Sequence, residues 1–268
     1  MIEIKNITKR YGDKTVVDNV SFNIEKGKIT SLIGPNGAGK STLLTMLTPV
    51  GQKDGGEVYI EGKKLEDWNK EELAKKIAIL KQANNINIRL TIKERVEFGR
   101  FPYCQGRLKE EDHKYVAEAI NYMGLDDIKN RYLDELSGGQ RQRAFIAMVI
   151  AQNTEYIFLD EPLNNLDIKH SVEMMKVLQN LVRELNKTVV IVMHDINFAS
   201  CYSDNIVVMK HGKLIKASEA DFVINKELLE EIYEIDFDIK NIHGNKICVY
   251  YCNNKCEKCE KKGREVNE

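Results

Sequence analysis

The stretch Gly34-Pro35-Asn36-Gly37-Ala38-Gly39-Lys40-Ser41-Thr42 decides the fold. It fits the pattern G-x-x-x-x-G-K-[ST], and its flanks give the pattern physical meaning. The apolar run Ile29-Thr30-Ser31-Leu32-Ile33 before it reads as a buried strand. Ser41-Thr42-Leu43-Leu44-Thr45-Met46-Leu47 after it reads as a helix stopped near Pro49. Glycines let the connecting backbone curl until successive N–H groups converge on one anion. The new helix aims the positive end of its dipole at the same point. Lys40 adds a full charge toward the β- and γ-phosphates, and Ser41 offers a hydroxyl to Mg²⁺. By itself the loop specifies a nucleoside triphosphate and no output.

Upstream, Ile2, Ile4, Ile7, Val16, Val20, Phe22 and Ile24 alternate around Gly12-Asp13, as two antiparallel strands joined by a turn should. Tyr11 stands at that turn, either as a surface ring or as a platform for an adenine. Downstream, Glu57–Ile60 and Ile77–Leu80 read as short strands, with a brief helix over Lys70–Lys75. From Ala83 the character changes. Thr91 with Glu94 makes a capping box, and Phe101-Pro102-Tyr103 is expected to end the helix it starts. Glu110–Met123 and Gln140–Ala151 follow as helices, so residues 83–150 read as a helical insertion between core strands.

The sheet resumes at Tyr156-Ile157-Phe158-Leu159. Lys169–Leu185 is amphipathic, with an expected buried stripe of Val172, Met175, Leu178, Val182 and Leu185. Thr188–Met193 is apolar throughout, as a parallel strand covered on both faces should be. Asp195–Cys201 and residues 226–233 read as helices. Strand pairs are expected around His211-Gly212 and Gly244-Asn245.

A length of 268 residues suits one large domain or two modest ones. The net charge of −1 provides no overall positive field for nucleic acid. The longest apolar runs, Ala144–Ala151 and Val189–Met193, fall well short of the ~20 residues of a spanning helix. Met1-Ile2-Glu3-Ile4-Lys5 alternates, which is unlike a signal peptide. Of six cysteines, four crowd the last 21 residues, which argues against a disulfide framework and fits a reducing compartment.

A phosphate cradle needs a metal partner and a group that activates water. Asp160 arrives at the C-terminal end of a strand, where open α/β sheets bind ligands, and suits a Mg²⁺ role. Glu161 is placed to polarise the attacking water. Leu136-Ser137-Gly138-Gly139-Gln140-Arg141-Gln142-Arg143 then supplies a second anion site, a serine-capped helix with two glycines in its first turn. One nucleotide rarely needs two such sites so far apart in one chain. A symmetric dimer accounts for both, with each second site closing on the nucleotide held by the other subunit.

Leu136–Gln140 resembles the signature of ATP-binding cassette (ABC) ATPases, and other motifs follow in the family's order over residues 1–220. The resemblance implies an α/β P-loop NTPase with a RecA-like mixed sheet core, an antiparallel β subdomain and an inserted helical subdomain. It makes residues 1–250 one ATPase domain, with 83–150 as the helical subdomain, and 251–268 a charged, cysteine-bearing tail expected to be disordered. Gly34–Thr42 becomes the Walker A loop and Gln82 the Q-loop residue touching Mg²⁺ and water. Asp160 and Glu161 become Walker B and the catalytic glutamate. Asp167 becomes the D-loop aspartate and His194 the switch histidine. Tyr11 becomes the adenine-stacking ring. ATP and Mg²⁺ are implied as ligands, held by Gly34–Thr42, by Ser41, Gln82 and Asp160, and in trans by Ser137, Gly138, Gly139 and Gln140.

Closer in, Ile79–Gln82, Phe98–Tyr103, Glu161–Asp167 and His194-Asp195-Ile196-Asn197-Phe198-Ala199 are similar to the iron–siderophore importer ATPases, of the haem and cobalamin type. That resemblance implies a head-to-tail homodimer peripheral to the cytoplasmic face of the membrane. It would drive two separate permease subunits fed by a substrate-binding lipoprotein. Phe98, Phe101 and Tyr103 would then meet the permease or pack within the helical subdomain. The alternative is a soluble cassette ATPase acting on nucleic acid or ribosomes, which the absence of a basic surface or coiled coil disfavours. Cys252, Cys256 and Cys259, with Cys248, have thiolates suited to Zn²⁺ or an iron–sulfur cluster. Their spacing departs from paired C-x₂-C knuckles, and the resemblance gives this tail no support.

Overall fold

The computed structural model describes residues 1–81, 89–164 and 166–251. The chain opens with β1 (Ile2–Tyr11), β2 (Lys14–Ile24) and β3 (Ile29–Ile33), followed by α1 (Lys40–Met46). Next come β4 (Gly55–Ile60), β5 (Lys63–Lys64), α2 (Lys70–Lys76) and β6 (Ile77–Leu80). A helical run follows: α3 (Ile92–Glu97), α4 (Phe101–Cys104), α5 (Glu110–Tyr122) and α6 (Gly138–Ala151). The remainder is β7 (Tyr156–Asp160), α7 (Ile168–Arg183), β8 (Thr188–Val192), α8 (Ile196–Tyr202), β9 (Asn205–Lys210), β10 (Lys213–Glu219), α9 (Ala220–Val223), α10 (Lys226–Tyr233), β11 (Asp238–Ile242) and β12 (Asn245–Val249).

Among the described residues three sheets result. An antiparallel sheet has the order β2-β1-β4-β5, and β11 pairs with β12 alone. The central sheet has the order β10-β9-β3-β8-β7-β6, parallel except for β10. This is the mixed core of a P-loop NTPase. Side chains on a strand alternate between faces, and both faces here are covered. Leu32, Phe158, Val190, Val192 and Val207 join one buried cluster with Leu43, Leu44 and the antiparallel sheet. Ile29, Ile33, Ile157, Leu159, Val189 and Ile191 join another, under α6, α7 and α10. Each such side chain contributes roughly 1.5–3 kcal/mol on burial, which is why β7 and β8 are apolar at four of their five positions and β3 at three.

Two ion-pair systems tie elements together. Lys26 and Lys76 both bridge Glu61 and Glu155, at 2.8–3.0 Å, joining the β4–β5 turn to the start of β7. The lysines, Lys76 foremost, hold the Glu61 carboxyl down to about 2. Arg100 and Asp112 form a buried pair at 2.9 Å, and Arg100 also donates to the Ala151 carbonyl.

Three expectations need correction. Pro102 does not end a helix; it sits in the first turn of α4, where its missing N–H costs nothing. The buried stripe of α7 is Ser171, Met174, Met175, Leu178, Leu181 and Val182, while Leu185 lies past the helix end and is exposed. The last hairpin turns on His243-Gly244, both at positive φ, so Asn245 already belongs to β12. The capping box of Thr91 and Glu94 is present as expected. Among the described residues, no helix is long and apolar enough to cross a membrane.

Candidate active site

The glycine loop leaves the end of β3 and runs into α1. It is wedged between neighbouring strands, and this is where glycine is required. A Cβ on Gly34 (φ 140°) would collide with the Met209 carbonyl of β9. One on Gly39 (φ 95°) would meet the Val16 carbonyl of β2 at 2.5 Å. Lys40 is buried, and its Nζ donates to the carbonyls of Gly34 (2.8 Å) and Pro35 (3.0 Å). Burial lowers its pKa, against the opposing pull of Glu161 and Asp160.

β8 stands between β3 and β7, so three strand ends converge on the loop. From β7 comes Asp160, whose Oδ1 accepts from Ser41 Oγ at 2.7 Å. Burial raises the Asp160 pKa, partly offset by that hydrogen bond. Glu161 follows at φ 52°, a left-handed conformation uncommon for glutamate. Its Oε1 lies 2.5 Å from His194 Nε2, delivered by β8, and its Oε2 accepts from Asn164 Nδ2 at 2.6 Å. The hydroxyl of Ser41 and the carboxylate of Asp160 are hard oxygen donors side by side, and they fit Mg²⁺. Gln82 lies outside the described residues.

Tyr11 is 61% exposed at the end of β1, with Lys9 Nζ 5.3 Å from its ring centre. It borders a cavity of about 410 Å³ that Ser41, Thr42 and Thr45 also line. An exposed flat ring beside the first turn of α1 suits an aromatic base better than it suits packing.

The second anion site is also formed. Ser137 Oγ accepts from the Gln140 N–H (3.2 Å) and Gln140 Oε1 from the Ser137 N–H (3.1 Å), opening α6. Gly139 faces the loop before α7, where a Cβ would come within 3.5 Å of Leu166. Asp167 caps α7 and accepts from the His170 backbone N–H, with His170 Nδ1 also 2.8 Å away. Among the described residues, no hydrogen bond of Ser137 or Gln140 reaches Lys40 or Ser41. Within one chain, then, Lys40, Ser41, Asp160, Glu161 and His194 are gathered, whereas Ser137–Gln140 sits with Leu166 and Asp167.

Phe98 and Phe101 are exposed and line a groove of about 280 Å³ with Leu90, Glu94 and Glu97. Tyr103 is half-buried instead, its ring under the Arg100 guanidinium. Cys248 is buried in β12, where burial pushes its thiol up to about 11. Among the described residues, no cluster of His, Cys, Asp and Glu is set to hold a metal ion. Cys252, Cys256 and Cys259 lie outside them. Sequence reasoning missed Asn164 as a partner of Glu161, although its i+3 spacing after a strand end is a signal for such a turn contact.

Known proteins share this arrangement. A family model described as ABC transporter matches residues 17–164. The petrobactin import ATP-binding protein YclP of Bacillus subtilis (strain 168) is 59% identical over 251 residues, covering 94% of this chain and all of that protein. The ferric enterobactin transport ATP-binding protein FepC of Escherichia coli (strain K12) is 36% identical, covering 85% of each. Among solved structures, the dimeric post-hydrolysis state of the ATP-binding cassette MJ0796, bound to ADP and Pi, is 35% identical. It superposes with a TM-score of 0.73 over 82% of this chain and 99% of that one. With the glycine loop, the acidic strand end and the signature helix all in place, the chain belongs to the ABC transporter family.

Proposed function

We propose that the protein is the ATP-hydrolysing subunit of an importer for iron–siderophore complexes. One observation carries the chemistry: beside the glycine loop, Ser41 is bonded to Asp160 at 2.7 Å and Glu161 to His194 at 2.5 Å. The loop N–H groups and Lys40 bind the phosphates, and Tyr11 stacks on the adenine. Mg²⁺, when bound, neutralises charge on the β- and γ-phosphates. Ser41, Asp160 and Gln82 would hold it. Glu161 takes a proton from the attacking water, and His194 fixes the Glu161 carboxylate and reaches the γ-phosphate.

The nucleotide is completed in trans. Ser137, Gly138, Gly139 and Gln140 of one subunit close on the loop of the other, with Asp167 at the crossing. The relative solved as a dimer bound to ADP and Pi supports a dimer as the working unit. On this reading residues 1–250 are the ATPase domain, 83–150 its helical subdomain and 251–268 a tail. The dimer works at the cytoplasmic face of the membrane on two permease subunits, which a substrate-binding lipoprotein supplies. Phe98 and Phe101 face the permease. Near-full-length relatives named for petrobactin and enterobactin support iron–siderophore import over a ribosomal or nucleic-acid role.

Co-purification with phosphate-release assays tests the reading. Recovery of a membrane permease and Mg²⁺-dependent ATP hydrolysis are expected. Recovery with ribosomes or DNA in place of a permease would sink the import assignment.

A further inference from the structure

The segment from the end of α10 onward takes no part in the chemistry above, yet it is tied to two parts of the site. Asn197 is the first point of attachment. Its Oδ1 accepts from the Cys248 N–H at 2.7 Å, and its Nδ2 donates to the Cys248 carbonyl at 3.2 Å. A side-chain amide that satisfies both polar groups of one strand residue acts as an extra rung on β12. Ser200, three residues on and so on the same helix face, donates to the Lys246 carbonyl at 2.6 Å. α8 is thus clamped along β12 at two levels.

From α8 the connection runs directly to the reacting groups. Asp195 caps the helix by accepting from the N–H groups of Asn197 (2.8 Å) and Phe198 (3.0 Å). His194 is its immediate neighbour, and His194 Nε2 meets Glu161 Oε1. α8 has only seven residues, so its own hydrogen bonds hold it weakly. Its orientation depends on what it packs against. The other end of the same C-terminal unit lies at the glycine loop. The Tyr233 hydroxyl neighbours the Gly34 backbone N–H, and Tyr233, Phe237, Tyr250 and Tyr251 form successive ring contacts of 4.4–6.0 Å out to the hairpin.

We infer that the β11–β12 hairpin is a positioning element for hydrolysis, holding His194 against Glu161 through Asn197 and Ser200. The two residues touch neither nucleotide nor water; they act through the start of α8. This rests on the ATPase reading above. A shift on the order of 1 Å in a catalytic geometry can cost ~10²-fold in rate, so loosening one clamp should cost less than that.

The test uses the full chain. Asn197→Leu keeps the shape of the side chain and removes both bonds, and kcat should fall ~10-fold with KM for ATP within about 2-fold. Asn197→Asp keeps the acceptor for the Cys248 N–H and should fall between Asn197→Leu and wild type. Ser200→Ala, the milder change should Asn197→Leu not fold, should lower kcat about 3-fold. Hydrogen exchange at the Phe198 and Ala199 amides, which donate to Asp195, should quicken in each variant. This readout stands whether or not the protein turns over ATP, so absent wild-type turnover would count against the ATPase reading alone. Wild-type kcat and exchange in both Asn197→Leu and Ser200→Ala would overturn the inference. So would losses in kcat and KM that track a fall in Tm, since those would mean general destabilisation.

Discussion

Glu161 Oε1 and His194 Nε2 stand 2.5 Å apart, although they follow the ends of different strands, β7 and β8. A carboxylate held this way has one oxygen fixed by His194 and the other by Asn164. Neither bond depends on its charge alone. Glu161→Gln preserves the shape and can still accept at one oxygen, but it cannot take a proton from water. We expect ATP affinity within a few-fold of wild type and hydrolysis lowered at least ~10²-fold. ATP should then hold the variant as a dimer, visible by size-exclusion chromatography. Turnover near the wild-type rate would remove Glu161 from the role of base.

Lys40 and Ser137 belong to groups that one chain does not bring together, which leads to a mixing experiment. Lys40→Ala should lose hydrolysis by losing phosphate binding, and Ser137→Arg by blocking the second anion site. Mixed, the two inactive proteins should regain activity, because a heterodimer has one site with both halves intact. No recovery on mixing would favour sites completed within a single subunit.

Tyr11 is mostly exposed, so it can be changed with little cost to folding. Base–aromatic stacking is worth about 1–3 kcal/mol. Tyr11→Ala should therefore raise KM for ATP by roughly 10-fold, with kcat and Tm nearly unchanged. Tyr11→Trp should retain the wild-type KM. A KM unaffected in Tyr11→Ala would place the adenine elsewhere.

Glu61 gives the pH dependence. Its folded-state pKa, about 2, lies below the ordinary value of 4.5 because Lys76 and Lys26 hold it ionised. A depressed carboxylate stabilises the fold above its unfolded pKa and loses that contribution as pH falls from 4.5 toward 2. Glu61→Gln should thus melt a few degrees below wild type at pH 7. The gap should narrow as the pH is lowered from about 5 to about 3, and hydrolysis at pH 7.5 should be unaffected. A gap independent of pH would mean the ion pairs contribute nothing.

Much of the fold was legible because each local signal agreed with the next. Tyr156–Leu159 and Val189–Val192 are continuous apolar runs, and Ile29–Ile33 is interrupted only by Thr30 and Ser31, as suits central strands covered on both faces. The Thr91 and Ser137 caps were legible because a capping box is a contact within four residues. Relations made by tertiary packing were not. The left-handed φ of Glu161 is one of them, and nothing in the Asp160-Glu161 pair announces it. The Asn197 clamp joins residues 51 apart through a hairpin whose strands look unremarkable in sequence. Pro102 misled because proline stops a helix and starts one equally well, and only the tightening to a 3-10 turn over Phe98–Arg100 distinguishes the two.

The strand order has a consequence for synthesis. β3 carries the glycine loop and pairs with β8 and β9 alone. Both neighbours begin at or beyond Thr188. At about 5–20 residues per second, the ribosome adds the intervening stretch over several seconds to half a minute. Throughout that interval Ile29–Ile33 has emerged with no sheet to join, all of it destined for the interior. β6 and β7 can pair with each other earlier, and β8 then unites the two halves in one step. The nascent chain therefore carries an unpaired strand, buried at every position in the finished fold, for most of its translation. The nucleotide site comes into being late and all at once.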